Sequence, residues 1–174
     1  MNTRGRRMYT DLDRTSDYDR LGLCPRVEDW MVRNSQFRKF ESIHLGPHEW
    51  NAHPQAETLI RELEHVFCAG AWVATIVIAQ AVVEVSIAAF DKKGLRTPDF
   101  LDKYELKSSA EWLRDQRNPV VHRHSAQGAA ITLERQLFFR ESLRLDAKKA
   151  VAYALGISFL PSRHPEVQIS DSTN

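Results

Sequence analysis

The chain is poor in the residues that define several common kinds of site. Only two cysteines occur among 174 residues, Cys24 and Cys68, and they do not form a Cys-x-x-Cys motif. This argues against a disulfide framework and a cysteine-based zinc site, and it favours a reducing compartment. The formal net charge is only +1, so any contact with nucleic acid must come from a local basic patch. We therefore expect a cytoplasmic protein without a cysteine-based metal site.

Neither a secretory signal nor a membrane-spanning helix is predicted. The basic residues 1–7 are not followed by an apolar segment, as a signal peptide would require. Residues 67–90 are almost wholly apolar and long enough to cross a bilayer. They carry Gln80 and Glu84 near their centre, however, and an acidic residue at mid-membrane costs about 2.5–3.5 kcal/mol. A helix inside a helical bundle is therefore expected, without a membrane partner.

Apolar residues recur at helical spacing along most of the chain, which predicts an all-α bundle. Residues 1–25 lack this periodicity and are expected to form a polar, mobile arm. Region 26–54 is predicted to contain an additional N-terminal helix and a loop. Region 55–158 is predicted to hold four core helices, and region 159–174 to be a polar tail.

The same patterns predict helix ends and inward faces. Gly70 is expected to mark the end of a helix at 55–69 or a corner after it, and Gly94 to end an Ala-rich helix at 71–92 after Lys92 and Lys93. Asp146 is expected to cap a last helix at 147–157, and Pro161 to close that helix. The residues expected to pack inward are Val27, Trp30, Met31, Phe37, Phe40 and Ile43 in the N-terminal helix; Ala71, Ala74, Ile78, Ala81, Val82, Val85 and Ala89 in the Ala-rich helix; and Ala150, Val151, Ala154 and Leu155 in the last helix.

The segment 114–124, RDQRNPVVHRH, concentrates groups that bind phosphate and move protons. Arg117 is a permanent planar cation, and His122 can change its charge near neutral pH. Asn118 before Pro119 predicts a helix start with Asn118 as N-cap. Positions five apart in a continuous helix differ by about 140° around the axis, so an unbroken helix would not place Arg117 and His122 on one side. A bend at Asn118 is expected to bring them together. An ordinary corner between helices with solvated charges is the alternative.

The order of these features resembles the HEPN superfamily of small helical domains. A helix ending in EHVFCAGAW is followed by the Ala-rich helix ATIVIAQAVVEVSIAAF and then by RNPVVH. The family motif is an arginine and a histidine separated by four to six residues, usually with a polar residue after the arginine, where this chain has Asn118. The resemblance covers region 55–158. One toxin branch often has tyrosine where this chain has His124, so the chain departs from that branch.

The resemblance implies a HEPN-like bundle that acts as a metal-independent endoribonuclease and uses no cofactor. Its catalytic residues would be Arg117, Asn118 and His122, lining the interface of a homodimer. The 2′-hydroxyl of RNA would attack the phosphate and leave a 2′,3′-cyclic phosphate, with His122 as general base and Arg117 stabilising the phosphate charge. Many family members are toxins, some with antitoxin partners, or effectors of phage defence. Others bind RNA or nucleotides without cleaving.

Further residues are candidates for supporting roles. Glu84 is expected either to orient Arg117 or His122, or to be exposed or paired with any basic residue; Gln80, one turn away, would extend a polar strip. The missing general acid would be His124 or the second subunit's His122. Two more candidates near the phosphate are Arg114 and Arg123.

Three less specific readings remain. His44, His48 and His53, with Glu49, could hold a metal, but their spacing matches no standard site. The chain could be a non-catalytic module that binds RNA, nucleotide or a partner protein through the same cleft. It could also be a purely structural bundle, in which His122 would be buried with its nitrogens satisfied.

Overall fold

A computed structural model describes residues 25–90, 92, 94–121, 136 and 138–169 of the chain. Its helices, in chain order, are α1 (Val27–Leu45), α2 (Pro54–Ala69), α3 (Trp72–Ala89), α4 (Thr97–Lys103), α5 (Lys107–Val121), α6 (Arg140–Ser158) and α7 (Leu160–Arg163). The prediction of an all-α fold is confirmed. The predicted mobile arm, apart from its last residue, lies outside the described residues.

The bundle is built around α3, which packs against α2, α5 and α6. The core contains Phe67 of α2, Ile76 and Val83 of α3, and Leu155 of α6, each at most 1% exposed. Burial of each such side chain contributes about 1.5–3 kcal/mol. Phe37 of α1 belongs to the same cluster, so the N-terminal helix is part of the core rather than a separate addition.

Gly70 forms the corner between α2 and α3, as the sequence predicts. It adopts the left-handed conformation at φ 75°, and its N–H donates to the carbonyl of Phe67 at 3.0 Å. The predicted end of the next helix at Gly94 is wrong. The helix ends at Ala89, and Phe90 continues in extended conformation. Phe90 is buried, with its ring 5.8 Å from that of Phe100, so tertiary packing ends α3 before the lysine and glycine signals.

The last long helix begins earlier than predicted. α6 starts at Arg140, and Asp146 lies inside it instead of capping it. Leu143 is 3% exposed, which shows that the inward-facing apolar pattern already includes the turn before Asp146. The inward face predicted for this helix is confirmed by its fully buried members, Ala150, Val151, Ala154 and Leu155.

The chain beyond α6 is not a polar tail as far as residue 169. Pro161 stands in the first turn of α7 and does not close α6. Phe159, Leu160 and Val167 are at most 2% exposed and belong to the core. The predicted start of a polar tail at residue 159 is therefore wrong. The apolar residues after α6 are spaced too irregularly to show a helical period, yet they fill part of the core.

The predicted inner face of α1 is right for half of its members. Phe37 is fully buried, Phe40 packs against the core and Trp30 is partly buried. The other three, Val27, Met31 and Ile43, are 71%, 65% and 62% exposed. The inner side of α1 is instead partly polar: for example, Asn34 donates to the Glu64 carboxylate at 2.7 Å. Buried polar pairs of this kind cannot be read from apolar spacing.

The predicted packing stripe of α3 is mostly its outer face. Half-exposed residues are Ala71, Ala74, Ile78, Ala81 and Val85, whereas the buried ones include Trp72, Ile76, Ala79, Val82, Val83 and Ala89. α3 is apolar on every side, so the period of its apolar residues does not indicate a direction. Among the described residues, α3 is the helix whose length and mean hydropathy of 1.9 would allow it to cross a membrane, and half of it is buried in the bundle. Its packing agrees with the predicted bundle helix.

Candidate functional site

The segment that carries Arg117 is one continuous helix, so the predicted bend at Asn118 is wrong. α5 runs from Lys107 to Val121 with Pro119 inside it, and Asn118 is therefore not an N-cap. Proline lacks the N–H that would bond back to residue 115, but it falls so near the described end of α5 that little of the helix is affected. α5 is held by its packing on α3 and α6.

This continuity removes the predicted reason for Arg117 and His122 to share a side. Positions five apart in a regular helix differ by about 140° around the axis. His122, Arg123 and His124 lie outside the described residues. Arg114 is exposed and stands three residues before Arg117 on α5, which places both arginines on the same side of the helix.

The described part of the site is a polar group where α5 crosses α3. Arg117 Nη2 lies 4.0 Å from Glu84 Oε1, and Arg117 Nη1 donates to Asn118 Oδ1 at 3.4 Å. Gln80 Nε2 donates to the same Glu84 oxygen at 3.1 Å. The polar strip predicted for Gln80 and Glu84 is therefore present, and it continues onto Arg117. α3 thus places a carboxylate beside the arginine of the motif.

Glu84 is far more exposed than its apolar surroundings in the sequence suggest. Its side chain is 54% exposed, compared with 28% for Arg117. An ion pair at 4.0 Å between side chains this exposed contributes at most about 1 kcal/mol. The carboxylate can orient the guanidinium group, and the pair can separate at low cost when a phosphate approaches.

Gln80 is the buried member of the group. It is 5% exposed, and its Oε1 is buried without a hydrogen-bond partner among the described residues. An unsatisfied buried acceptor costs about 1–3 kcal/mol. The amide Nε2 nevertheless donates to Glu84. Gln80 thus helps to hold the carboxylate next to Arg117, although its own Oε1 is left without a partner among the described residues.

The outer face of α3 next to this group is apolar. Val77, Ala81 and Val85 are half-exposed on the same helix as Glu84. Apolar residues exposed beside polar side chains are typical of an interaction site. The structure therefore brings together the motif arginine, a carboxylate and an apolar helix face that the described residues leave partly exposed.

The histidines before α2 have structural positions. His53 is the N-cap of α2, with its Nδ1 accepting from the backbone N–H of Gln55 at 3.3 Å. Burial, followed by the charge of Arg163, lowers the pKa of His44, which lies against Gly156. The described residues contain no group of three or more side chains suited to a metal ion.

A second basic region lies at the other end of α3, and the sequence does not reveal it. We call Arg33 and Arg140 the arginine pair. Arg33 Nη1 donates to the Cys68 carbonyl at 3.0 Å, and Arg140 Nη2 donates to the Gly70 carbonyl at 3.1 Å. The two guanidinium carbons lie 5.2 and 5.8 Å from the centre of the Trp72 ring. The sequence gives no signal for this pair because its members belong to α1 and α6.

Comparisons with known proteins do not assign the chain to a family: no family model matches it, and the searches of curated proteins and solved structures give no significant match. The argument for a function therefore depends on the sequence motif and on the geometry around Glu84 and Arg117.

Proposed function

We propose that the protein is a metal-independent endoribonuclease of the HEPN type. The observation that carries the proposal is the contact between Glu84 of the Ala-rich helix and Arg117 of the motif helix, at 4.0 Å. It joins the two sequence features on which the HEPN resemblance depends. Asn118, the polar residue after the motif arginine, belongs to the same group.

In the proposed reaction, RNA supplies its own nucleophile. His122 accepts the proton of a 2′-hydroxyl, and the oxygen attacks the adjacent phosphate as the bond to the 5′-oxygen breaks. Arg117 donates hydrogen bonds to the phosphate oxygens as negative charge builds up on them. The 5′-oxygen takes a proton from a general acid, either His124 or the partner's His122. The products are a 2′,3′-cyclic phosphate and a 5′-hydroxyl.

The proposed active form is a homodimer, as the HEPN resemblance implies. Two motifs would face one another across a two-fold axis, where Arg117 of one subunit would meet His122 of the other. The partly exposed apolar residues of α3 nearest Glu84, Ala81 and Val85, would form the contact. The Glu84–Arg117 pair would then lie at the edge of this interface.

A ribonuclease of this kind would act as a toxin or as an effector of phage defence in the cytoplasm. Such a role requires control, which an antitoxin or another protein partner would provide. The near-neutral chain, with a net charge of +1, favours a restricted RNA substrate over general attraction to RNA.

The proposal is tested by incubating the full-length protein with end-labelled single-stranded and structured RNAs in excess EDTA. Wild-type protein is expected to cleave at least one of them, and His122→Ala is expected not to. The matched control is His48→Ala, which changes an exposed histidine remote in sequence from the motif. Equal cleavage by wild type and His122→Ala would overturn the proposal.

A second candidate function is a module that binds RNA, nucleotide or a partner protein without cleaving it. The Glu84–Arg117 ion pair favours this candidate, because the carboxylate offsets part of the charge that a catalytic arginine would present. Binding of RNA that is weakened by Arg117→Ala, without cleavage at any time, would select it.

A further inference from the structure

The arginine pair lies beside an apolar groove of about 400 Å³ between α3 and α6. The lining includes Val73, Val77, Ile78 and Leu143, with Gln136 and Arg140 as its polar side chains. A volume in this range is typical of small-ligand pockets. Arg33 does not line the groove, but it contacts Trp72 and the segment at Gly70, which do.

The charge of the arginine pair is not balanced by an acidic side chain within the described residues. The bonds of Arg33 and Arg140 go to backbone carbonyls, and their other contacts are with the Trp72 ring. Arg144, on the same helix as Arg140, does have a carboxylate partner, Glu141. Two uncompensated cations beside an apolar groove are complementary to a ligand with an anionic head and an apolar body.

The positive charges of the two arginines repel each other. Burial is the larger cause, and the charge of Arg33 the smaller, of the lowered pKa of Arg140. A Cβ atom built on Gly70 would lie 2.6 Å from Arg33 Nη1 and 3.3 Å from Arg140 Nη2, so both guanidinium groups press against the same backbone corner. An anion there would relieve this repulsion, because an opposite charge lowers the electrostatic energy of both.

We propose that this groove binds a small amphiphilic anion, with its carboxylate on Arg140, in the field of Arg33, and its apolar body along Val73 and Val77. Arginine suits the head because its planar donors match both oxygens of a carboxylate. Arg140 uses one donor for the Gly70 carbonyl and keeps others for a ligand. The apolar lining favours a hydrocarbon body over a sugar–phosphate backbone.

The test measures binding of decanoate, below its micelle concentration, to the full-length protein by isothermal titration calorimetry. Decanol lacks the charge and acetate lacks the body, so each is expected to bind at least about tenfold more weakly. Arg140→Gln is expected to weaken decanoate binding about tenfold. The matched control Arg144→Gln removes the same charge from the same helix and is expected to change the affinity by less than about twofold.

A second variant keeps the test decisive if Arg140→Gln folds poorly. Val77→Phe fills the groove from a half-exposed position and leaves both arginines in place, and it is expected to abolish decanoate binding with an unchanged circular dichroism spectrum. The proposal is overturned if decanoate does not bind, if decanol binds as tightly, or if Val77→Phe binds like wild type. If single-stranded RNA binds in a way that requires Arg140 while decanoate does not bind, the arginine pair serves RNA, and the proposal is likewise overturned.

Discussion

The two arginine sites along α3 differ in how their charge is balanced. Arg117 meets a carboxylate that is 54% exposed, at 4.0 Å. Arg33 and Arg140 meet carbonyl oxygens and one indole ring. The first pair is exposed to water, and the second is half-buried and held by backbone carbonyls. The first arrangement fits the proposed ribonuclease, in which Arg117 must leave its partner when charge develops on a phosphate. The second fits the proposed binding of an anion.

The difference follows from what surrounds each site. Glu84 stands on the outer face of α3, where water screens the ion pair. The arginine pair packs against Trp72, which is 4% exposed, and a cation in such surroundings keeps more of its electrostatic energy. A single apolar helix therefore supports two cationic sites with different properties, and substitutions at each should have separate consequences.

The largest expected effect is on RNA cleavage. Arg117→Ala should lower the rate about a hundredfold or more, because it removes the donor that meets charge on the phosphate. Arg96→Gln removes the same charge from an exposed site paired with Asp99 and should leave the rate within about twofold. Initial rates on one labelled RNA measure both. Equal losses in the two variants would mean that only total charge matters.

Subunit mixing sharpens the same site further. Arg117→Ala and His122→Ala are each expected to be inactive alone. If each site combines Arg117 of one subunit with His122 of the other, and His124 is the general acid, a heterodimer has one intact site. An equal mixture should then regain about a quarter of the wild-type rate. Activity that is not regained, in a mixture shown by native mass spectrometry to contain heterodimer, would contradict this arrangement.

A stability comparison tests the geometry at the arginine pair. Gly70→Ala should lower the free energy of unfolding by about 2 kcal/mol, since it imposes φ strain and displaces Arg33 from its bond to Cys68. Gly94→Ala, at φ 82° with no atom within 4 Å of a built Cβ, should cost only about 1 kcal/mol. Urea titrations measure both. Equal costs would show that Arg33 does not press on Gly70.

The smallest expected effect concerns the solvated pair. Glu84→Gln should change the free energy of unfolding by less than about 0.5 kcal/mol, because the ion pair is long and exposed. The free energy of unfolding of the variant should also depend less on salt concentration than that of the wild type. A loss above about 2 kcal/mol in urea titration would mean that Glu84 and Arg117 form a tight structural pair, and the contrast with the arginine pair would fail.

The sequence was informative where polar and apolar residues alternate. α2, the corner at Gly70 and the inner face of α6 were predictable because each has one apolar side or a defined end signal. α3 has no polar side, so its orientation depended on neighbours that periodicity cannot show. Pro119 is a helix breaker by rule, yet α5 includes it, because it falls near the described end of the helix, where its missing N–H affects little of the helix.

The candidate site was predictable only in part. The i, i+4 relation of Gln80 and Glu84 follows from helical spacing alone, and their hydrogen bond confirms it. The meeting of Glu84 with Arg117 depends on how two helices cross. The arginine pair depends on three helices meeting at Trp72. No local pattern contains that information.

End-group analysis of the cleaved RNA tests the proposed chemistry most directly. Wild-type protein in excess EDTA is predicted to leave 2′,3′-cyclic phosphate and 5′-hydroxyl ends, and to leave DNA of the same sequence intact, because the 2′-hydroxyl is the nucleophile. Cleavage of the DNA, or RNA fragments with 5′-phosphate ends, would contradict the mechanism assigned to Arg117 and His122.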